Sequence, residues 1–121
     1  MGKVLFVEDD PTIRKMIRAA MRNSTHELHF ATNGREGLEL VDRIRPHCVF
    51  TDVSMPEMNG LELADAIRAR PDLAEVKIVF VTASLQREQI ERYLAHGAVA
   101  YLGKPFSPAD LRAHIEKFVP A

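Results

Sequence analysis

Cysteine is almost missing: Cys48 is the only one in 121 residues. That excludes an internal disulfide and any metal cluster built on thiolates. Cys48 opens a short apolar run ending at Phe50, so it reads as a buried core thiol rather than a nucleophile. No apolar run approaches the roughly 18 residues a membrane helix needs, and no signal-peptide pattern opens the chain. The expected location is cytoplasmic, with no membrane partner. Charge of one sign is lacking too: 16 Lys plus Arg stand against 17 Asp plus Glu. Such a balance offers no field to draw nucleic acid or a lipid surface. The histidines His26, His29, His47, His96 and His114 show no metal-ligand spacing, and surface or capping roles are expected. Linkers, repeats and low-complexity stretches are absent, so residues 1–121 read as a single domain long enough for a real core.

What is present alternates strand and helix patterns without a break. Lys3–Val7 is a short apolar strand that ends at Glu8, Asp9 and Asp10. Asp10 and Pro11 then form a helix start, followed by Ile13, Met16, Ile17, Ala20 and Met21 on one face. Glu27–Ala31 alternates as an edge strand would. Asn33 and Glu36 have the spacing of a capping box, with Leu38, Val41 and Ile44 as the buried face of that helix. The run from Cys48 stops at Asp52, and a Pro- and Gly-marked loop follows. Asn59 and Glu62 open a third helix carrying Leu63, Ala66 and Ile67. Val76–Val81 is the most continuous strand, and a helix from about Gln86 to His96 carries Ile90 and Leu94. Ala98–Leu102 is a fifth strand, and Ser107, Pro108 and Asp110 start a last helix with Leu111, Ile115 and Phe118 as its stripe.

Five β/α units with short connections predict an α/β fold, a doubly wound parallel sheet of flavodoxin-like order 2-1-3-4-5. In such sheets ligands bind outside the C-terminal strand ends. Those ends carry Glu8, Asp9, Asp52, Thr82 and Lys104. Three close carboxylates repel one another unless a cation joins them, and hard oxygen donors on an open rim suit Mg²⁺. With a lysine and a threonine hydroxyl added, the set fits a phosphoryl group held on a carboxylate.

The motifs Val7–Glu8–Asp9–Asp10, Thr51–Asp52–Val53–Ser54–Met55–Pro56–Glu57–Met58–Asn59–Gly60, Val81–Thr82–Ala83 and Lys104–Pro105–Phe106 occur in that order, each at a strand end. On them the chain resembles the receiver (CheY-like) domain of bacterial two-component response regulators over essentially its whole length. The resemblance implies phosphorelay signalling, with Asp52 accepting a phosphoryl group from a histidine kinase or phosphotransfer protein with Mg²⁺ (or Mn²⁺). It implies that Glu8 and Asp9 position the metal, Glu8 through a water in place of the commoner Asp, and that the Ser54 carbonyl completes the shell. Thr82 and Lys104 would bind phosphoryl oxygens, and Tyr101 would move inward as Thr82 is drawn to the phosphoryl group. Asp10 is better explained as a helix cap. The Lys104–Pro105 bond is expected to be cis. Such a domain catalyses its own phosphorylation and dephosphorylation and is no conventional enzyme.

Output is expected on a face of helix four, strand five and helix five, bearing Arg87, Glu91, His96 and Arg112, that binds an unidentified downstream protein. Val99 and Ala100 stand where winged-helix regulators carry acidic residues, so a monomer or weak dimer is expected, with no direct nucleic-acid contact. The rival readings are a docking module independent of phosphorylation and the isolated receiver of a longer regulator with an effector domain. A haloacid-dehalogenase-type phosphatase needs Asp-x-Asp after the first strand, where this chain has Glu8 and Asp10. Flavin binding is disfavoured by the acidic rim and by the lack of a Ser/Thr-rich phosphate loop.

Overall fold

The alternating segments become five β/α units in the computed structural model, which describes residues 2–55 and 57–120. Strand β1 (Lys3–Val7) leads to helix α1 (Pro11–Ala20), β2 (Glu27–Ala31) to α2 (Gly34–Ile44), and β3 (Cys48–Asp52) to α3 (Gly60–Arg68). A 3-10 turn at Pro71–Leu73 precedes β4 (Lys77–Thr82), and α4 (Arg87–Ala95), β5 (Ala100–Gly103) and α5 (Pro108–Phe118) follow. The strand pairings are all parallel and the sheet order is β2-β1-β3-β4-β5, the doubly wound arrangement the pattern predicts. Pro56 of the second motif lies outside the described residues.

Successive strand side chains point to opposite faces, and both faces are covered here. Leu5, Val7, Val49, Ile78 and Phe80 pack on one side with Val41 of α2, Leu63 and Ile67 of α3 and Tyr93 of α4. Val4, Phe6, Phe50, Val79 and Val81 pack on the other with Ile17 of α1 and Leu111 and Ile115 of α5. Double coverage is why β3 and β4 read as continuous apolar runs; every residue of β3 is buried. Each large side chain so buried, such as Phe50, contributes about 2 kcal/mol. Burial also pushes the Cys48 thiol up to about 12, which leaves it inert.

Caps place the helix starts just beyond the strand ends. Asp10 accepts from the Thr12 amide with Pro11 next to it, and Asn59–Glu62 and Ser107–Asp110 close full capping boxes. The second unit departs from its expected box. Asn33 accepts from the Glu36 amide, but the Glu36 carboxylate turns to the Thr32 amide and hydroxyl, at 3.3 and 3.4 Å.

Three boundaries or faces also differ. Strand β4 lies one residue later than Val76–Val81, and β5 starts at Ala100 rather than Ala98 because Gly97, at φ 89°, is still turning the chain. On α4 the buried residue is Tyr93, whereas Leu94 is 47% exposed. The Tyr93 ring sits edge-on to Phe80 with centroids 5.3 Å apart, and that contact rotates the helix by one position from its expected face.

Candidate functional site

Neighbouring strands β1 and β3 lie where the strand order reverses, and in doubly wound sheets ligands bind beyond the C-terminal strand ends at that point. Glu8 and Asp9 leave β1 there, Asp52 ends β3, Thr82 ends β4 and Lys104 follows β5. Backbone bonds fix these exits. The Glu8 amide donates to the Ala31 carbonyl at 2.9 Å, and the Lys104 amide to the Thr82 carbonyl at 2.8 Å. The loop after β3 is held by Gly60 N–H to the Val53 carbonyl and Gly34 N–H to the Met58 carbonyl, both 3.0 Å. Arg14 on α1 donates to the Glu8 carbonyl at 2.8 Å. The Lys104–Pro105 peptide bond is cis.

The side chains converge on one ammonium. Lys104 Nζ lies 2.9 Å from Asp52 Oδ2 and 3.0 Å from Glu8 Oε1. Asp52 Oδ1 sits 3.4 Å from the Ser54 amide, and Glu8 Oε2 accepts from the Asp10 amide at 3.2 Å. Glu8, Asp9 and Asp52 each offer one carboxylate oxygen within 4.8 Å of the others; Glu8 and Asp52 are buried and Asp9 is exposed. Burial pushes the Glu8 carboxyl up to about 7; the Lys104 hydrogen bond opposes this and the Asp52 charge adds to it. Burial pulls Lys104 down, but its bonds to Asp52 and Glu8 outweigh that and its pKa is raised. Three carboxylates beside one ammonium leave negative charge in excess. With hard oxygen donors and one exposed member, the cluster fits Mg²⁺ or Mn²⁺.

The Glu8 shift has a direction that can be measured. A carboxyl whose folded pKa is raised favours the folded state below its unfolded pKa, and this contribution is lost as pH rises through the folded pKa. Between pH 4.5 and about 7 the folded chain keeps the Glu8 proton that the unfolded chain has lost. Without divalent metal, wild type should therefore lose stability relative to Glu8→Gln over that window. Parallel urea-melt curves for the two proteins across it would contradict the assignment.

Comparison with known proteins identifies the arrangement. The family profile of the response regulator receiver domain matches residues 4–116. The chain belongs to the response-regulator receiver family. It is 34% identical over 118 residues to the probable C4-dicarboxylate response regulator DctR of Bacillus subtilis, covering 96% of this chain and 51% of DctR. It is 37% identical over 115 residues to the transcriptional regulatory protein PdtaR of Mycobacterium tuberculosis, covering 94% of this chain and 55% of PdtaR. The chain thus spans about half the length of these two relatives. Among solved structures, the chemotaxis response regulator CheY4 of Vibrio cholerae superposes with a TM-score of 0.91 at 31% identity, covering 98% of both chains. Membership implies phosphorelay signalling with histidine kinases or phosphotransfer partners. Among the described residues no helix is long and apolar enough to cross a membrane.

Within this receiver Glu8, Asp9, Asp52 and Lys104 are brought together, with Ser54 beside Asp52. Thr82 lies at the same rim, buried, and its hydroxyl is 2.8 Å from the Tyr93 hydroxyl. Tyr101 turns outward, 37% exposed. Two residues expected on the output face point elsewhere. Arg112 donates to the Ala20 carbonyl at the end of α1, and His96 pairs with Asp65 of α3 at 2.6 Å. His114, on the same helix, has Nε2 3.1 Å from the Tyr101 carbonyl of β5. Tyr93 is the residue that sequence reasoning missed. Its signal was its place three residues after Ile90, on the same helical face, where a ring can be buried while its polar tip needs a partner.

Proposed function

We propose that Asp52 accepts a phosphoryl group from a phosphohistidine of a histidine kinase or phosphotransfer protein, and that this changes a protein-binding face. The observation that carries the reading is the setting of Asp52. It ends the central strand with one oxygen on Lys104 Nζ at 2.9 Å and lies within 4.8 Å of the Glu8 and Asp9 carboxylates.

An Asp52 oxygen attacks phosphorus while the P–N bond to the donor breaks, giving an acyl phosphate. The imidazole, protonated on its other nitrogen, departs neutral with the bonding pair, so this chain needs no base of its own. Its work is positioning and charge neutralisation. Lys104 is already against Asp52 and binds one phosphoryl oxygen; the Thr82 hydroxyl binds another. Glu8, Asp9, Asp52 and the Ser54 carbonyl would hold Mg²⁺ or Mn²⁺, whose charge offsets that of the arriving anion. Incubation with phosphoramidate or acetyl phosphate should add one phosphoryl mass with Mg²⁺ and none with EDTA. Labelling that survives EDTA would remove the metal from the account. Absence of labelling from these donors and from any kinase would leave a docking module that works without phosphorylation.

Return of the chain to its resting state requires water to reach phosphorus. Ser54 is exposed and Ser84 half-buried, and both are small. A short-lived phosphoprotein is expected, and replacing either serine with leucine should lengthen its life. Decay of the phosphoryl mass after donor removal measures this; an unchanged or faster decay would contradict it.

The downstream partner is a protein that docks on α4, β5 and α5. Among the described residues, the exposed large hydrophobic side chains are Leu85 (56%), Leu94 (47%), Val99 (44%) and Tyr101 (37%), all just before α4, on it, or on and beside β5. Arg87 and Glu91 add a charged rim, 3.8 Å apart on α4.

A further inference from the structure

Helix α4 is weakly tied at its start. Its N-cap, Gln86, makes no side-chain bond to the helix, whereas the end is held by Arg68, which donates to the Gly97 carbonyl at 3.2 Å. Between these ends the buried residue is Tyr93, 3% exposed, seated on Phe80 with its hydroxyl on Thr82 Oγ1 at 2.8 Å. A phenol buried this deeply needs a partner, and Thr82 is the partner it has.

The hydrogens on this pair can be counted. Thr82 Oγ1 carries one proton and two lone pairs. One lone pair is filled by the Ser84 amide at 3.1 Å. Two arrangements remain. In one, Thr82 donates to Tyr93. In the other, Tyr93 donates into the second lone pair, and the Thr82 proton is left with the Ser84 carbonyl at 3.4 Å. That contact is long and weak, so a charged acceptor at the rim takes the proton readily. An anionic oxygen held near Asp52 selects the second arrangement and makes Tyr93 the obligatory donor.

We propose that Tyr93 is a positioning residue that makes α4 follow the Thr82 hydroxyl, so that helix four reports phosphoryl occupancy through a hydroxyl–hydroxyl link within the core. The inference rests on the reading that Asp52 accepts the phosphoryl group and Thr82 binds it. The link runs under the helix and does not require Tyr101, which lies outward at the sheet edge.

Tyr93→Phe keeps the ring on Phe80 and removes only the hydroxyl. The test is the amide shift of residues 87–95 on adding beryllofluoride with Mg²⁺, with the Val53 and Ser54 amides reporting that the ligand has bound. In wild type both groups of amides should move. In Tyr93→Phe the loop amides should still move, while the α4 shifts fall by about half or more. Thr82→Ser, which keeps a hydroxyl, should respond like wild type. Thr82→Ala should lose the α4 response, and adding Tyr93→Phe to it should take nothing more. Wild-type α4 shifts in Tyr93→Phe, or a further loss in the double variant, would overturn the inference alone. Unmoved loop amides in wild type, together with no phosphoryl mass from phosphoramidate, would overturn the acceptor reading and this inference with it.

Discussion

Gly60→Ala is expected to destabilise the chain by about 3 kcal/mol or more, a loss of about 10 °C in Tm for a domain of this size. Gly60 is the first residue of α3 and is buried against the end of β3. A Cβ there would stand 2.2 Å from the Asp52 carbonyl oxygen and 3.0 Å from the Asp52 carbonyl carbon and the Val53 Cα. These are backbone atoms, so no side chain can swing away. Relief requires moving α3 or the strand end, which would strain the 3.0 Å bond from the Gly60 amide to the Val53 carbonyl and the Asn59–Glu62 capping box. Either movement also displaces Asp52, so phosphoryl labelling should slow in whatever fraction stays folded. A variant that melts within about 2 °C of wild type would show that the close approach is not required.

Lys104→Met should lower the rate of labelling from phosphoramidate by about a hundredfold, the usual scale for removing one donor aimed at developing charge. Methionine keeps most of the reach of lysine without the ammonium. The resting site would then hold Glu8, Asp9 and Asp52 with no cation among them, and the Glu8 carboxyl would rise further still. Stability at neutral pH should fall by about 1–3 kcal/mol, below the loss from breaking a fully buried pair, because the Lys104 side chain is 19% exposed. That deficit should shrink toward pH 5, where Glu8 is protonated, and should also shrink on adding Mg²⁺. Rates of labelling by phosphoramidate and paired urea melts test both halves. Labelling at the wild-type rate would remove Lys104 from the chemistry.

The parts of this receiver that were legible in its sequence are those where one residue type answers one local demand. Asp10, Asn59 and Ser107 cap helices because short polar side chains reach backbone amides, and those starts fall where the spacing put them. Strand ends are legible because buried runs stop at a charge or hydroxyl, which marks Glu8, Asp52 and Lys104. The contacts that were not legible depend on two elements at once. Tyr93 and Leu94 are adjacent, and only the position of Phe80 on β4 decides which one faces inward. Glu36 had the spacing of a capping box, yet Thr32 offered a competing hydroxyl and amide. Arg112 lies on the expected helix, but α5 also packs against α1, and the Ala20 carbonyl there takes its guanidinium. Periodicity states that a helix has a buried face; the partner selects the residue at its edge.

Asp52→Asn carries the most direct test of the central claim, because it removes one negative oxygen and leaves the shape of the side chain. The variant gives up the charge pairing of Asp52 with Lys104 but also the repulsion from Glu8, and Lys104 keeps Glu8 at 3.0 Å, so it should still fold. Wild type and Asp52→Asn would be incubated side by side with phosphoramidate and Mg²⁺ and weighed intact. One added phosphoryl mass is expected on wild type and none on the folded variant. Equal labelling of the two would place the acceptor elsewhere and contradict it.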